Sequence, residues 1–142
     1  MIGRGRKGLS TKLHLALSIG GIQSACLSEG QRVDMKIFSK LWELGEWSET
    51  QYVIADKGYD YSVVRTTIKK AKKIPIIPRR ANAIFPGLPD VYKPYYHTRS
   101  AIERFFGRIK ENKRLALRFD KLTHTFFSFF ALAAIKSLGL IC

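Results

Sequence analysis

Apolar residues in this chain recur first at every second position and later at helical intervals. Residues 11–18 alternate leucine with Lys, His and Ala, and a period of two predicts a β-strand. The Gly20-Gly21 pair predicts a hairpin turn into an antiparallel strand over residues 22–28. Residues 34–44 place their apolar side chains at helical spacing, with Asp34 as the expected N-cap. This part of the chain is therefore predicted to be a β-hairpin followed by a helix.

Two short strands and three further helices are predicted beyond that point. Residues 51–56 form an apolar strand that ends in a carboxylate, residues 61–72 a basic amphipathic helix, and residues 74–77 a second short strand. A long helix is expected over residues 95–113, and an apolar terminal helix over residues 121–138. The order β-β-α-β-α-β-α-α indicates an α/β fold in one domain, with no internal boundary.

The composition fits a folded protein with a polyanionic partner. The 142 residues are 46% hydrophobic and 12% aromatic, which is enough for a core and too apolar for a disordered chain. Lys and Arg number 25 against 11 Asp and Glu, a formal net charge of +14. This excess, together with a basic segment over residues 3–8 that is predicted to be flexible, favours contact with nucleic acid.

Several classes of function receive no support from the sequence. Cys26 and Cys142 belong to no CxxC pair and the histidines share no ligand spacing, so a disulfide framework and a zinc site are not expected. A phosphate-binding loop of the GxxxxGK type is missing. No secretory signal is visible, which favours an intracellular, reducing compartment. Lys136 would be costly in lipid, so the apolar stretch 125–142 is predicted as a buried helix without membrane contact.

Four polar side chains of different chemistry converge on one face of the predicted helix over residues 95–113. At 100° per residue, Tyr96, Arg99, Glu103 and Lys110 fall within an arc of about 60°. A carboxylate flanked by two cations and a tyrosine suits a helix that lines a site for a metal and a phosphate. The alternative is an amphipathic helix whose polar residues are simply solvated.

Asp56 is the second carboxylate of interest. It stands where an apolar strand gives way to Lys57-Gly58, and functional carboxylates are common at strand ends in α/β sheets. The alternative is a turn aspartate that accepts backbone N–H groups. Asp60 is expected to cap the following helix. Asp56 and Glu103 would together offer oxygen ligands of the kind that Mg²⁺ prefers, although such sites usually need a third carboxylate.

With these residues in place, the chain resembles the bacterial insertion-sequence DDE transposases, and the insertion-sequence-five family in particular. The resemblance rests on the Tyr96, Arg99, Glu103 and Lys110 spacing and on four blocks in matching order: GRGRKGLSTKLH (3–14), GQRVD (30–34), VIADKGYD (53–60) and RFDK (118–121). It extends over essentially the whole chain.

This resemblance implies a ribonuclease-H-like fold and DNA transposition, in which element ends are cleaved and their 3′-hydroxyls are joined to target DNA with Mg²⁺ or Mn²⁺. Asp56 matches the second catalytic aspartate and Glu103 the catalytic glutamate, and both would bind the metal. Tyr96, Arg99 and Lys110 match the signature positions and would contact DNA phosphates. The partners would be element-end DNA, target DNA and further copies of the chain, on the bacterial nucleoid in the cytoplasm.

The resemblance also implies a truncated fold. In the family, the first catalytic aspartate lies on a central strand upstream of the block at residues 3–14, and this chain starts after it. The strands over residues 11–18 and 51–56 would each lose a ladder partner, at about 1–3 kcal/mol for every buried group left unpaired. We therefore expect the chain alone to be marginally stable and inactive, unless a polypeptide from an upstream reading frame supplies the strand.

Three alternatives stay open on the sequence. The chain could be a non-catalytic basic DNA-binding protein, for which Glu103→Gln would change nothing. It could be the remnant of a decayed transposase, without activity. It could also be a stand-alone ribonuclease-H-like nuclease, which would need Asp34 as its third carboxylate, although Asp34 is better interpreted as a helix cap.

Overall fold

An antiparallel sheet begins the chain. The structure, a computed structural model, describes residues 3–5, 8–29, 34–111 and 123–138. Strands β1 (Gly3–Gly5), β2 (Gly8–Ser18) and β3 (Gly21–Glu29) are adjacent in that order. The predicted hairpin is confirmed, since β2 pairs antiparallel with β3 from Thr11↔Glu29 to Ser18↔Gly21. Residues 3–5, predicted to be flexible, instead pair with residues 8–10, because the edge of β2 offers them unpaired ladder groups.

A parallel pair of strands forms the second sheet. Strands β4 (Tyr52–Ile54) and β5 (Ile74–Ile76) are paired in parallel and are connected through helix α2 (Ser62–Lys70). The three elements agree with the prediction to within two residues at each end. Within the described part of the chain, β2 and β4 belong to different sheets. The prediction of a mixed α/β protein is thus confirmed, while the lack of a central strand stays a prediction.

Helix α1 (Asp34–Leu44) packs against both sheets. Ile37 and Leu41 form one buried cluster with Cys26 of β3. Phe38 belongs to a second cluster, which it forms with side chains of α2 and of the segment at β5: Val64, Ile68 and Ile77. Because residues three and four apart lie on one side of a helix, α1 presents two adjacent apolar stripes, one to each sheet. The helix begins at Asp34 as predicted, and the N-cap role of that residue stays a prediction.

His14 of β2 is buried, as are Cys26 and Ser28 of β3. His14 Nε2 lies 2.8 Å from the hydroxyl of Ser28, and both residues are almost inaccessible to solvent. Cys26 is directly opposite His14 in the strand register, and burial raises the pKa of its thiol while the charge of Lys40 opposes that shift. His14 is therefore a packed residue of this sheet.

Four aromatic rings connect the end of α1 to the segment after β4. The Trp42 and Trp47 rings are stacked at 4.6 Å, Phe38 stacks on Trp42 at 5.6 Å, and Tyr59 meets Phe38 edge-on at 6.4 Å. Trp47 also donates its indole N–H to the carbonyl of Trp42 at 2.7 Å. The Trp47 ring covers Gly45 so closely that a Cβ there would lie 2.5 Å from it, so this turn requires glycine.

The prediction of one continuous helix over residues 95–113 is wrong, because the helix is interrupted. The structure has two helices, α3 (Lys93–His97) and α4 (Ser100–Lys110), with Thr98 and Arg99 in a turn between them. The Thr98 hydroxyl donates to the Tyr95 carbonyl at 2.7 Å, and the N–H groups of Thr98 and Arg99 bond three residues back. These tighter bonds replace the i→i−4 ladder and end α3.

The chain divides into two packing units, Met1–Arg99 and Ser100–Cys142. In the second, α4 contacts helix α5 (Thr123–Ser137), which agrees with the terminal helix predicted over residues 121–138. Their buried side chains are spaced at one helical turn, namely Phe105 and Ile109 on α4 and Phe126, Phe130 and Ala134 on α5. Among the described residues, no helix has both the length and the apolar character to cross a membrane. The prediction of a single domain stays a prediction, because a packing unit need not be a domain.

Asp60 connects three segments of the first unit. Its Oδ1 accepts a hydrogen bond from Arg65 Nε at 2.8 Å, and its Oδ2 accepts one from the backbone N–H of Arg80 at 2.9 Å. Arg65 in turn donates to the carbonyl of Ile77 at 2.6 Å. The prediction that Asp60 caps α2 is wrong, because Tyr61 occupies the N-cap position and the carboxylate is used between segments.

The pKa of Asp60 shows which effect dominates in this network. Burial by itself would raise the pKa of the carboxyl, whose side chain is only 12% exposed. The hydrogen bonds from Arg80 and Arg65 and the charges of Arg65 and Arg79 outweigh burial and hold the pKa below its ordinary value of 3.8. The ionised Asp60 carboxylate therefore stabilises the fold fully at pH values above the pKa that this carboxyl has in the unfolded chain. The stabilisation is lost as the pH falls through the lower pKa of the folded protein.

We expect Asp60→Asn to lower the free energy of unfolding at pH 7 by about 1–3 kcal/mol, because Arg65 loses a charged partner in a mostly buried site. The difference from the wild type should shrink below about pH 4, where the wild-type carboxyl also takes up a proton. Urea unfolding followed by tryptophan fluorescence at several pH values measures both effects. Asp90→Asn is the matched control, since its 2.6 Å ion pair with Lys93 is solvent-exposed and should contribute nothing measurable. Equal losses of unfolding free energy in Asp60→Asn and Asp90→Asn would contradict the stabilising role assigned to Asp60.

Candidate functional site

Asp56 lies at the point where the backbone leaves β4. The N–H of Ala55 still donates to the carbonyl of Ile76 at 3.2 Å, which extends the pairing with β5 by one residue. Asp56 Oδ1 then accepts the N–H of Lys57 at 2.6 Å and caps a single 3₁₀ turn, Lys57–Tyr59. The side chain is exposed. The interpretation of Asp56 as a turn aspartate is confirmed, and the same turn presents its carboxylate at the carboxyl end of a parallel strand.

This turn is attached to the core on both sides of Asp56. The N–H of Tyr59 donates to the carbonyl of Asp56 at 2.9 Å, and the Tyr59 ring packs edge-on against Phe38. Ala55 packs against the same core cluster. Asp60, which directly follows the turn, accepts hydrogen bonds from the Arg65 side chain and from the backbone N–H of Arg80. An exposed carboxylate on a turn held in this way has little freedom to move, which suits a ligand or catalytic group.

Tyr96 and Arg99 lie at the end of α3 and in the turn that follows it. The Arg99 guanidinium is 5.6 Å from the centroid of the Tyr96 ring, so the two signature residues contact each other through a cation–π interaction. The Tyr95 ring stacks on Tyr52 of β4 at 4.8 Å and attaches α3 to the strand that leads to Asp56. Burial raises the pKa of the Tyr52 hydroxyl, with a further contribution from the neighbouring Tyr95.

Glu103 and Lys110 lie on α4, in the second unit. Both are exposed, and seven residues of helix bring them within about 20° of each other on the face away from the buried Phe105 and Ile109. Glu103 is in the first turn of the helix and Lys110 in the last. Each charge thus lies at the helix end that favours it, a carboxylate near the amino end and a cation near the carboxyl end.

The predicted site residues are divided between the two packing units. Asp56, Tyr96 and Arg99 belong to the first unit, and Glu103 and Lys110 to the second. The helix is interrupted at Thr98 and Arg99, so the continuous helix on which the four side chains were predicted to share one arc is not present.

The donor chemistry of the two carboxylates suits a divalent cation such as Mg²⁺, which prefers oxygen ligands. Within residues 3–5, 8–29, 34–111 and 123–138, however, no three His, Cys, Asp or Glu side chains are grouped so that they could hold a metal ion.

Sequence reasoning missed the side chains that position these residues. The Tyr52–Tyr95 stack, the Phe38–Tyr59 contact and the hydrogen bond from Arg80 to Asp60 all join residues that are distant in the sequence. Local periodicity carries no signal for such pairs. The motif DKGYD at the end of β4 contains Asp56 and Asp60, and the sequence indicated only that either of them could have a structural role.

Comparison with known proteins identifies the family. Residues 2–136 match the family model described as "Transposase DDE domain". A protein of Brucella ovis named "Putative transposase for insertion sequence element IS6501" is 33% identical over 86 residues, which are 58% of this chain and 62% of that relative, so less than two thirds of its length is covered. No solved structure matches the chain. The resemblance to insertion-sequence DDE transposases is confirmed, and the chain belongs to the family of transposase DDE domains.

Proposed function

We propose that this chain is the carboxyl-terminal part of a transposase, which cleaves the ends of an insertion sequence and joins the freed 3′-hydroxyls to target DNA. The observation that carries the proposal is the family match over residues 2–136, with Asp56 exposed on a fixed turn at the end of β4. A formal net charge of +14 supports a DNA partner. The protein would act on the bacterial nucleoid as an oligomer that holds two element ends.

The five site residues would divide the work by their chemistry. Asp56 and Glu103 would hold Mg²⁺ or Mn²⁺, which when bound activates a hydroxyl nucleophile and stabilises the leaving oxygen of a phosphodiester. Arg99 would contact DNA phosphate through its planar fork, oriented by its contact with the Tyr96 ring. Lys110 would act on phosphate as a point charge. Tyr96 would pack on, or hydrogen-bond to, the DNA backbone.

The third carboxylate would come from a strand that is not among the described residues. Two edges support this proposal. On the side away from β3, β2 has a described ladder partner only at residues 8–10, and β4 has a described partner only in β5. A strand between them would satisfy both edges, and a carboxylate at its end would lie beside Asp56. We propose that this strand comes from another part of the protein or from an upstream-frame polypeptide, and that the chain does not cleave DNA without it.

We expect Glu103→Gln to reduce Mg²⁺-dependent cleavage by at least about a hundredfold, because a metal ligand loses its charge. The measurement uses this chain co-expressed with the polypeptide encoded directly upstream, and a labelled duplex carrying the element end. Glu111→Gln is the matched control, since Glu111 is also exposed and directly follows α4. DNA binding should be equal in all three proteins. Cleavage that survives Glu103→Gln would reject the catalytic assignment and favour a non-catalytic DNA-binding protein.

Phosphate contact by Lys110 is tested separately. We expect Lys110→Ala to weaken binding to all DNA sequences alike and to reduce the slope of log affinity against log salt by about one, because one counterion fewer is released. Fluorescence anisotropy at several salt concentrations gives the slope. Lys36→Ala on α1 is the control, an exposed lysine outside the proposed site. An unchanged slope for Lys110→Ala would remove this residue from the DNA-binding set.

A further inference from the structure

A closed loop after β5 exposes two large apolar side chains at its tip. Arg79 and Gly87 exchange two backbone hydrogen bonds, of 2.7 and 3.1 Å, and so close the loop at its base. Gly87 has φ +84°, a conformation that favours glycine. Between these residues the chain projects Ile84 and Phe85, whose side chains are 91% and 83% exposed. The loop tip thus forms a small exposed apolar surface on a protein of high positive charge.

The base of this loop is attached firmly to the first unit. The backbone N–H of Arg80 donates to Asp60, and the Arg80 guanidinium lies 4.4 Å from the centroid of the Tyr61 ring, which packs on the core. Pro86 directly follows Phe85 and restricts its backbone to extended conformations. A loop that is held at its base and stiff at its tip is preorganised, so little conformational entropy is lost when the tip enters a partner.

We propose that Ile84 and Phe85 form a wedge that inserts at a base step of duplex DNA, with Arg79 at the adjoining phosphates. Proteins that bend DNA insert apolar side chains between base pairs in this way, and they recover the cost of unstacking through added contacts on the bent duplex. The inference rests on the proposed function in requiring DNA as the partner. It adds a contact that neither the carboxylates nor the signature residues provide.

Charge decides between DNA and a second copy of the chain as the occupant of this surface. Single exposed apolar residues are common on protein surfaces, but here two adjoin each other and two arginines stand at the loop base. A second copy would bring the same arginines and a formal charge of +14 against them. DNA brings phosphates for the arginines and an apolar base stack for the tip, so it complements both features.

The test measures binding of the full chain to two duplexes of the same sequence, one of which carries a single unpaired base at its centre. Unstacking costs less at the unpaired base, so a wedge should favour that duplex. We expect the wild type to bind the interrupted duplex about tenfold more tightly, the range expected for one base–aromatic contact. Phe85→Ala should lose this preference, and Phe85→Trp should keep it.

Ile19→Ala is the matched control, because Ile19 is also a fully exposed apolar residue in a turn, and it should leave the preference unchanged. Thermal unfolding should be the same for all variants, since the tip buries nothing. If the wild type binds neither duplex, the proposed function fails together with the wedge. If the wild type binds both duplexes equally, or if Phe85→Ala keeps the preference, only the wedge is overturned. A loss of self-association in Phe85→Ala with an unchanged preference would identify a contact between copies and would also overturn it.

Discussion

The packing of α1 is the interaction on which the first unit depends. One stripe of the helix, with Ile37 and Leu41, covers Cys26 of the antiparallel sheet, and the neighbouring stripe, with Phe38, enters the core between α2 and β5. The two sheets have no strand pairing with each other in the described part of the chain, so this helix supplies packing to both of them. Because its 11 residues bury apolar side chains in the cores of both layers, this helix is essential to the packing of the first unit.

The candidate site depends on that packing through a short chain of contacts. Phe38 of α1 meets the Tyr59 ring, Tyr59 closes the turn at Asp56, and Asp60 connects the turn to α2 and to the loop after β5. The structure thus fixes the backbone around Asp56 and leaves its carboxylate exposed. The same Asp60 network holds the base of the loop that carries Ile84 and Phe85. The Asp60 carboxylate therefore supports both the proposed catalytic turn and the proposed DNA wedge.

Much of the secondary structure could be predicted because its signals are local. The alternation of leucines predicted β2, the glycine pair predicted the turn, and helical spacing predicted α1 and α2. The errors also have local causes that operate through side chains. The helix expected from residue 95 ends at His97 because the Thr98 hydroxyl competes for the Tyr95 carbonyl. Asp60 does not cap α2 because its two carboxylate oxygens accept from the Arg65 side chain and from the backbone N–H of Arg80, which is distant in the sequence.

The motif spacing alone was enough to indicate the family, which the family match confirms, and to predict five site residues, because motif spacing is a property of the chain that needs no coordinates. The sequence also determined the basic charge, and with it the class of partner to expect. Only the tertiary structure decided that α1 serves two sheets, that Tyr52 and Tyr95 attach α3 to β4, and that Ile84 and Phe85 project from a fixed base. The physical reason is that these features depend on contacts between residues far apart in the chain, whose energies come from burial and charge pairing in three dimensions and leave no periodic pattern in the sequence.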